Sequence, residues 1–168
     1  YGRHIETTVQ RIQEETHKED ILFQVFNEVN LRHEETRDRY ISPEEHIREH
    51  FRSAADIITQ RGGRVAFTPP APRGECKDEN GRIITVDIYL ERMLLEAKKH
   101  WGLGWMLEKT AVAIHPYVFE ENGLLVEEIK SYSQAAKRAL GANPRIIVTE
   151  TNALLTSMPH ASAQTRAK

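Results

Sequence analysis

The stretch ILFQVFNEVN, residues 21–30, decides which fold to expect. Five of its first six residues are apolar, which is typical of a strand buried on both faces of a parallel sheet. The run then ends on Asn27 and Glu28, although glutamate is a poor residue for a turn or a helix N-cap. In parallel α/β folds the carboxyl ends of the strands carry the functional groups. The stretch therefore predicts a buried strand that delivers a carboxylate to a functional rim.

Strands and amphipathic helices alternate along the whole chain. A helix is expected at 5–17, before the strand at 21–26, and further strands are expected at 64–68, 110–119 and 145–152. Nearly continuous apolar strands separated by amphipathic helices predict a parallel sheet with βαβ crossovers. Two α/β architectures fit this order, an open doubly wound sheet and part of a (β/α)₈ barrel.

The helices between these strands have their own sequence signals. Ser42 is expected as an N-cap, with Pro43 at the first helical position and Glu45 at the capping-box spacing. The helix at 86–100 is expected to lead into an irregular segment at WGLGW, residues 101–105, and a last helix is expected at 125–140. The 86–100 helix is predicted to bury a stripe formed by Ile88, Leu90, Leu94 and Leu95. The prolines and glycines of PPAPRGECKDENG, residues 69–81, predict a loop without helix or central strand.

The composition excludes several classes of function. The 168 residues are 39% hydrophobic and 29% charged, and the net charge of −2 creates no one-signed field for nucleic acid or a membrane surface. No apolar run approaches the ~18 residues of a membrane span. Cys76 is the only cysteine, so it forms no internal disulfide, and we expect a free surface thiol. A soluble protein is expected, whether secreted or cytoplasmic.

Polar residues end each of the four expected strands. Singly, such residues are most often turn formers or N-caps, but two glutamates that each follow a buried strand and neighbour an asparagine favour function. Two carboxyl groups that face each other across a cleft are what glycoside hydrolysis requires, provided that their environments keep one protonated. The residues at the strand ends are Asn27 and Glu28, Thr68 and Pro69, His115 and Tyr117, and Glu150 and Asn152.

Four of these segments together resemble a known clan. VFNEVN (25–30), VAFTPP (65–70), IHPYVF (114–119) and IVTETN (147–152) are similar to strands 4, 5, 6 and 7 of the retaining glycoside hydrolases built on a (β/α)₈ barrel. In that clan an Asn-Glu pair ends strand 4 and a second glutamate ends strand 7. The resemblance implies a partial barrel over residues 1–156, strands 4 to 7 with their helices, followed by a flexible tail or linker at 157–168.

The resemblance also implies a role for each residue at the rim. Glu28 would be the general acid and base, Glu150 the nucleophile, and Asn27 a ligand of the sugar hydroxyl beside the anomeric carbon. Tyr117 would donate a hydrogen bond to Glu150. His115 and Asn152 would bind substrate in the cleft. Aromatic side chains stack on sugars in this clan, and the candidates are Tyr40, Trp101, Trp105 and Phe119.

The expected substrate is an oligo- or polysaccharide, and no metal or organic cofactor is implied. Retention of anomeric configuration is expected because the two carboxyl groups should lie ~5 Å apart. The chain departs from the clan pattern at Val29, where proline is usual, and it contains no match to strands 1 to 3 or 8. The remainder of the barrel is therefore expected from the same longer polypeptide or from a partner chain, which can be a second copy.

Two other functions fit parts of the sequence. HIREH, residues 46–50, matches the H-x-x-E-H signature of inverted zinc proteases, with His46, Glu49 and His50 as the zinc-site residues. The apolar stripe of this helix predicts that both histidines lie half solvated at the edge of its packing face. A non-catalytic carbohydrate-binding or structural barrel within a larger assembly is the second alternative, because a fold alone does not define turnover.

Overall fold

A four-stranded parallel sheet lies at the centre of the computed structural model, which describes residues 2–30, 40–72, 75–116 and 125–149. Two further short strands, Cys76–Lys77 and Ile83–Ile84, form a separate antiparallel hairpin. The parallel α/β sheet expected from the sequence is thus confirmed. In chain order the strands are β1 (Leu22–Gln24), β2 (Arg64–Phe67), β3 (Cys76–Lys77), β4 (Ile83–Ile84), β5 (Thr110–Ile114) and β6 (Ile146–Val148).

Helical segments flank this sheet and connect its strands. Ser42 is the expected N-cap, because its side chain accepts a hydrogen bond from the backbone of Glu45 at 3.2 Å. Three segments then follow one another directly, and the middle one, π1, is a π-helix. In chain order the helices are α1 (Gly2–Thr16), α2 (Pro43–Glu45), π1 (His46–Phe51), α3 (Arg52–Gln60), α4 (Val86–Lys109) and α5 (Leu125–Leu140).

The four strands lie side by side in the order in which they occur along the chain, β1-β2-β5-β6. All three pairings are parallel. Parallel crossovers are right-handed, so successive steps in one direction keep the connecting helices on one face of the sheet. In a doubly wound sheet the strand order reverses at one point. The described sheet has no such reversal.

The strand register separates a large-residue face from a small-residue face. Phe23 pairs with Val65, and Phe67 pairs with Val112. Val65, Phe67 and Val112 belong to the buried core, and the half-buried Phe23 packs against it. On the opposite face, Ala66 pairs with Ala111. Strand alternation continues that second face through Ala113 to His115. The small-residue face therefore leads up to the polar residues at the carboxyl end of the sheet.

The expectation that β1 is buried on both faces was wrong. Leu22 and Phe23 are half-buried and Gln24 is exposed, whereas all five residues of β5 are buried. The reason is position, because β1 lies at the edge of the sheet and β5 lies between β2 and β6. Apolar composition does not by itself distinguish an edge strand from a central one.

The predicted apolar stripe of α4 was half right. Leu90 and Leu94 are buried, but Ile88 is 41% exposed and Leu95 is 39% exposed. The face that packs inward is instead formed by Tyr89, Leu90, Met93, Leu94 and Ala97. These positions repeat at intervals of three and four residues, and Ile88 and Leu95 lie beside them rather than among them.

The irregular segment expected at 101–105 is a single kink. Gly102 has φ 79° and ψ 159°, a conformation in which only glycine is comfortable, and the helix resumes after it as far as Lys109. The conformation of Gly102 lets α4 change direction before β5 begins at Thr110.

The loop at 69–81 holds a strand that its composition did not predict. Cys76 pairs with Ile84, and the Oδ1 atom of Asp78 accepts hydrogen bonds from the backbone of Asn80 at 2.9 Å and of Arg82 at 2.8 Å. Cys76 is also not the surface thiol that we expected, since it is 1% exposed. Burial raises the pKa of this thiol to about 11, which keeps it protonated and unreactive at neutral pH.

None of the helices in the described ranges combines the length and apolar character that a membrane span requires.

Candidate functional site

Glu28 and His115 form a hydrogen-bonded pair at the carboxyl end of the sheet. The Nδ1 atom of His115 lies 3.0 Å from the Oε1 atom of Glu28, although the residues are 87 positions apart in the sequence. The His115 side chain is 1% exposed, and the Glu28 side chain is 14% exposed. β1 and β5 flank β2, so this pair spans the end of the strand between them. The imidazole is thus a buried support, and the carboxyl group retains an opening to solvent.

The backbone at Glu28 has an unusual conformation. Its φ angle is +38°, in the left-handed region that side chains other than glycine rarely adopt. Such a conformation persists when the surrounding contacts determine it, and it is often found at functional sites. The adjacent Asn27 is half-buried, and its Oδ1 atom accepts a hydrogen bond of 3.4 Å from Gln24. The turn away from β1 therefore aims the Glu28 carboxyl group across the sheet towards His115.

Asn30 fixes the chain two residues after Glu28, a role that sequence analysis missed. Its side chain is 1% exposed, donates to the carbonyl of Ala71 at 3.0 Å and accepts from the amide of Ala71 at 2.6 Å. Its amide nitrogen also lies 3.3 Å from the sulfur of Cys76. Val29, which stands where the clan has proline, is buried in the core. The segment after β1 is therefore held to the loop after β2 by the hydrogen bonds of the Asn30 side chain and by apolar packing.

A second buried polar pair lies at the end of β2. The Nε2 atom of His46 is 2.9 Å from the hydroxyl of Thr68, and both side chains are buried. The ring of Phe26 meets the His46 ring edge-on at 5.2 Å between centroids. Burial, with a smaller contribution from His50, lowers the pKa of His46 to about 3. His46 is therefore a neutral core residue at the physiological pH.

The half-solvated position that we expected for His46 was wrong, because π1 turns that ring fully inward. Glu49 is exposed, and the rings of His46 and His50 are stacked with their centroids 6.3 Å apart. Within the described ranges, no group of three or more His, Cys, Asp or Glu side chains could hold a metal ion. The geometry of HIREH thus favours a packed helix over a zinc site.

Three of the expected site residues, Glu150, Tyr117 and Asn152, lie outside the described residues. The last described residue before Glu150 is Thr149, whose amide donates to the carbonyl of Ile114 at 3.2 Å. β6 therefore ends beside the strand that leads to His115. The distance between the two glutamates and the hydrogen bond expected from Tyr117 remain predictions.

The aromatic candidates lie in different parts of the molecule. The rings of Trp101 and Trp105 stack on each other at 4.6 Å, and the Trp101 indole donates to Asp56 at 2.8 Å. These tryptophans are in the last turns of α4, which lead into the amino end of β5, so they are at the opposite end of the sheet from Glu28. Tyr40 donates to Glu75 at 2.7 Å beside the β3-β4 hairpin. Phe119 lies outside the described ranges.

No protein-family model, curated protein or solved structure is significantly similar to the chain. The polar groups at the carboxyl end of the sheet are therefore the basis for a functional proposal. There the described residues bring together a partly open carboxyl group, a buried imidazole and two loops joined by Asn30.

Proposed function

We propose that the chain is the later half of a (β/α)₈ barrel and that it acts as a retaining glycoside hydrolase. In this proposal Glu28 is the general acid and base, and Glu150 is the nucleophile. The observation that carries it is the Glu28–His115 pair, in which a buried imidazole supports a partly exposed carboxyl group at the carboxyl end of a parallel sheet. This end is where parallel α/β folds place their active sites.

The strand order supports the barrel part of the proposal. Four parallel strands in sequential order, with no reversal, are what one half of a (β/α)₈ barrel contains. β1 and β6 are the outer strands of the described sheet, so four further strands are needed for closure. We propose that these come from the same longer polypeptide or from a partner chain, since open parallel edges otherwise tend to pair with other molecules.

In the proposed mechanism Glu28 changes its protonation state twice in each catalytic cycle, and His115 is suited to hydrogen-bond both forms. The Nδ1 atom of an imidazole can donate to a carboxylate or, in the other tautomer, accept from a carboxylic acid. It can therefore stay bonded to Glu28 in both states. His115 was expected to line the substrate cleft, but its burial favours a positioning role behind Glu28.

The reaction proposed is a double displacement. A carboxylate oxygen of Glu150 attacks the anomeric carbon, the glycosidic C–O bond breaks, and the Glu28 proton passes to the leaving oxygen. Water then attacks the anomeric carbon, gives its proton to Glu28 and releases Glu150. Asn27 is proposed to bind the neighbouring sugar hydroxyl, and Asn152 is proposed to contact the substrate. The substrate is an oligo- or polysaccharide, and the mechanism requires no cofactor.

A mechanism-based inactivator tests the proposal directly. The chain, together with the longer polypeptide or partner that supplies the other four strands, is incubated with 2-deoxy-2-fluoro glycosides of several sugars, digested and analysed by mass spectrometry. A covalent adduct on Glu150, together with a product of retained configuration by NMR, is the expected result. Saccharide binding without an adduct or hydrolysis would instead identify a non-catalytic carbohydrate-binding barrel. An adduct on another residue, or an inverted product, would overturn the assignment of Glu150.

A further inference from the structure

A small surface cavity lies between two helical segments, with π1 and the start of α3 on one side and the middle of α4 on the other. Its volume is about 240 Å³, which is below the usual range for drug-sized molecules but sufficient for one small group. The segments contact each other through Phe51 and Trp101, whose rings meet edge-on at 6.2 Å between centroids. The residues that line the cavity are Ile47, Arg48, Arg52, Glu96, Lys99 and His100.

Positive charges predominate in this cavity. Arg48, Arg52 and Lys99 carry one positive charge each, and Glu96 is the one carboxylate among the described lining residues. Arg48 and Arg52 are also four residues apart on continuous helical segments, a spacing at which like charges repel each other. The whole chain has a net charge of −2, so the fold and not the composition creates this local excess. The cavity therefore favours an anion.

The protein uses few of the hydrogen-bond donors that these cations offer. Arg48 lies 3.6 Å from Glu96 and 3.7 Å from Glu79, and both distances are too long for a hydrogen bond. Lys99 donates one bond to Glu96 at 3.0 Å, which leaves two of its three N–H groups. The Arg52 guanidinium forms neither an ion pair nor a hydrogen bond within the described ranges. The single carboxylate of Glu96 therefore leaves most of the donors available to a ligand.

The cavity combines a fixed floor with an exposed rim. Ile47 is 1% exposed and anchors the floor in the core. The backbone amide of Arg52 donates to the carbonyl of Ile47, five residues earlier, and this π-helical bond sets where Arg52 leaves the helix. Short π-helical turns are rare and are frequently found at functional sites. On the facing helix His100 is exposed, and its ring nitrogens make no hydrogen bond to any described residue.

A phosphate group matches these donors better than a carboxylate does. It carries up to two negative charges and presents three acceptor oxygens when it is part of a monoester. The planar guanidinium group binds phosphate through two parallel hydrogen bonds, and the lysine ammonium group binds it as a point charge. A carboxylate has one charge and two oxygens, so it would leave more of the donors unused.

We propose that this cavity binds a phosphate dianion, either the free ion or the phosphate group of a small monoester. Arg48 and Arg52 bind its oxygens from one helical segment, and Lys99 and His100 bind them from the other. The remainder of an ester extends into solvent, because the cavity has room for little more than the phosphate group. The site is independent of the proposed glycoside hydrolysis.

The test is an NMR titration of the full 168-residue chain with phenyl phosphate and with inorganic phosphate. Sodium chloride at the same ionic strength is the comparison, because any salt screens exposed charges. Both phosphate probes are expected to shift the amides of residues 47–52 and 96–100 in a saturable manner, whereas chloride is not. The probe that binds more tightly identifies the free ion or the ester as the better ligand, and either result supports the proposal.

Three variants locate the site. Arg52→Gln removes one guanidinium group and is expected to weaken phosphate binding about tenfold, which is the effect of one charge-assisted hydrogen bond. Glu96→Gln removes the competing carboxylate and is expected to tighten binding about threefold. Arg11→Gln, the matched control, removes an exposed arginine from α1 and changes the net charge equally, so affinity should stay within about twofold.

The proposal is overturned if neither phosphate probe shifts these amides, or if chloride shifts them to the same extent. It is also overturned if Arg52→Gln binds phosphate like Arg11→Gln, or if Glu96→Gln binds it more weakly than the parent. A single-stranded DNA oligonucleotide is the last comparison. If it shifts the same amides at lower concentration than phenyl phosphate, the surface binds polyanions and the small-molecule site is wrong.

Discussion

At the carboxyl end of the sheet, buried side-chain hydrogen bonds join the loops, whereas the amino end is held by aromatic packing and by ion pairs nearer the surface. Glu28–His115, His46–Thr68 and Asn30–Ala71 belong to the first group, and each joins residues far apart in the sequence. The second group includes Trp101–Trp105 and the pair of Arg61 and Glu6 at 2.6 Å.

The two ends are therefore expected to respond differently to substitution. A buried polar pair adds little net stability, but losing one partner leaves the other desolvated without compensation. Exposed ion pairs contribute little either way. The proposed function predicts this difference, because in it only the carboxyl end of the sheet performs chemistry. Substitutions at the two ends of the sheet test this difference.

Glu28→Gln at the carboxyl end should have the largest effect. It keeps the shape of the side chain but removes the proton that Glu28 gives to the leaving oxygen in the proposed mechanism, so kcat/KM should fall about 10²- to 10⁴-fold. The measurement is hydrolysis of p-nitrophenyl glycosides, with protein stability followed in parallel. Glu14→Gln on α1, a glutamate that bonds Gln10 on the exposed surface, is the matched control and should be fully active. Equal activities of Glu28→Gln and Glu14→Gln would contradict the proposed catalytic role of Glu28.

Asn30→Ala should cost about 2–4 kcal/mol of unfolding free energy. It deletes both bonds to Ala71 and leaves the amide and carbonyl of that residue buried without partners. Urea denaturation measures the loss. Asn143→Ala, at an exposed asparagine before β6, should change stability by less than about 0.5 kcal/mol. If Asn30→Ala leaves the unfolding free energy unchanged, the loops after β1 and β2 are held together by packing alone.

His46 should make the protein less stable in acid. Its pKa is about 3 in the folded state and about 6.5 in the unfolded state, so only the unfolded state takes up its proton between these values. The stability is therefore fully present above pH 6.5 and falls as the pH is lowered towards 3. The slope from this residue approaches about 1.4 kcal/mol per pH unit.

Urea titrations between pH 7 and 4.5 check this prediction, because few carboxyl groups titrate in that range. His46→Gln should flatten the dependence, whereas His4→Gln, at an exposed histidine on α1, should leave it unchanged. A slope that persists in His46→Gln would assign the acid sensitivity to another group.

Asp56→Ala at the amino end should have the smallest effect. It removes the hydrogen bond from the Trp101 indole and should cost about 1 kcal/mol, without any change in kcat/KM. Thermal denaturation and the glycoside assay measure the two quantities. A loss of activity comparable to that of Glu28→Gln would show that the ends of the sheet are functionally coupled.

Local pattern in the sequence determined much of the fold. Apolar runs separated by amphipathic helices predicted the parallel sheet, and the spacing of Ser42, Pro43 and Glu45 predicted the helix start. Asn27, Glu28 and His115 were predicted as site residues because polar residues that end apolar runs stand out in any sequence. These features are local, so neighbouring residues are sufficient to encode them.

Tertiary structure alone decided which residues meet and which are covered. Glu28 is paired with His115, β1 is an edge strand, Cys76 is buried and Ile88 is exposed. Each outcome depends on what packs against a residue from a distant part of the chain. The physical reason is that hydrophobic burial is non-directional, so a sequence states which side chains favour the interior but not which neighbours cover them.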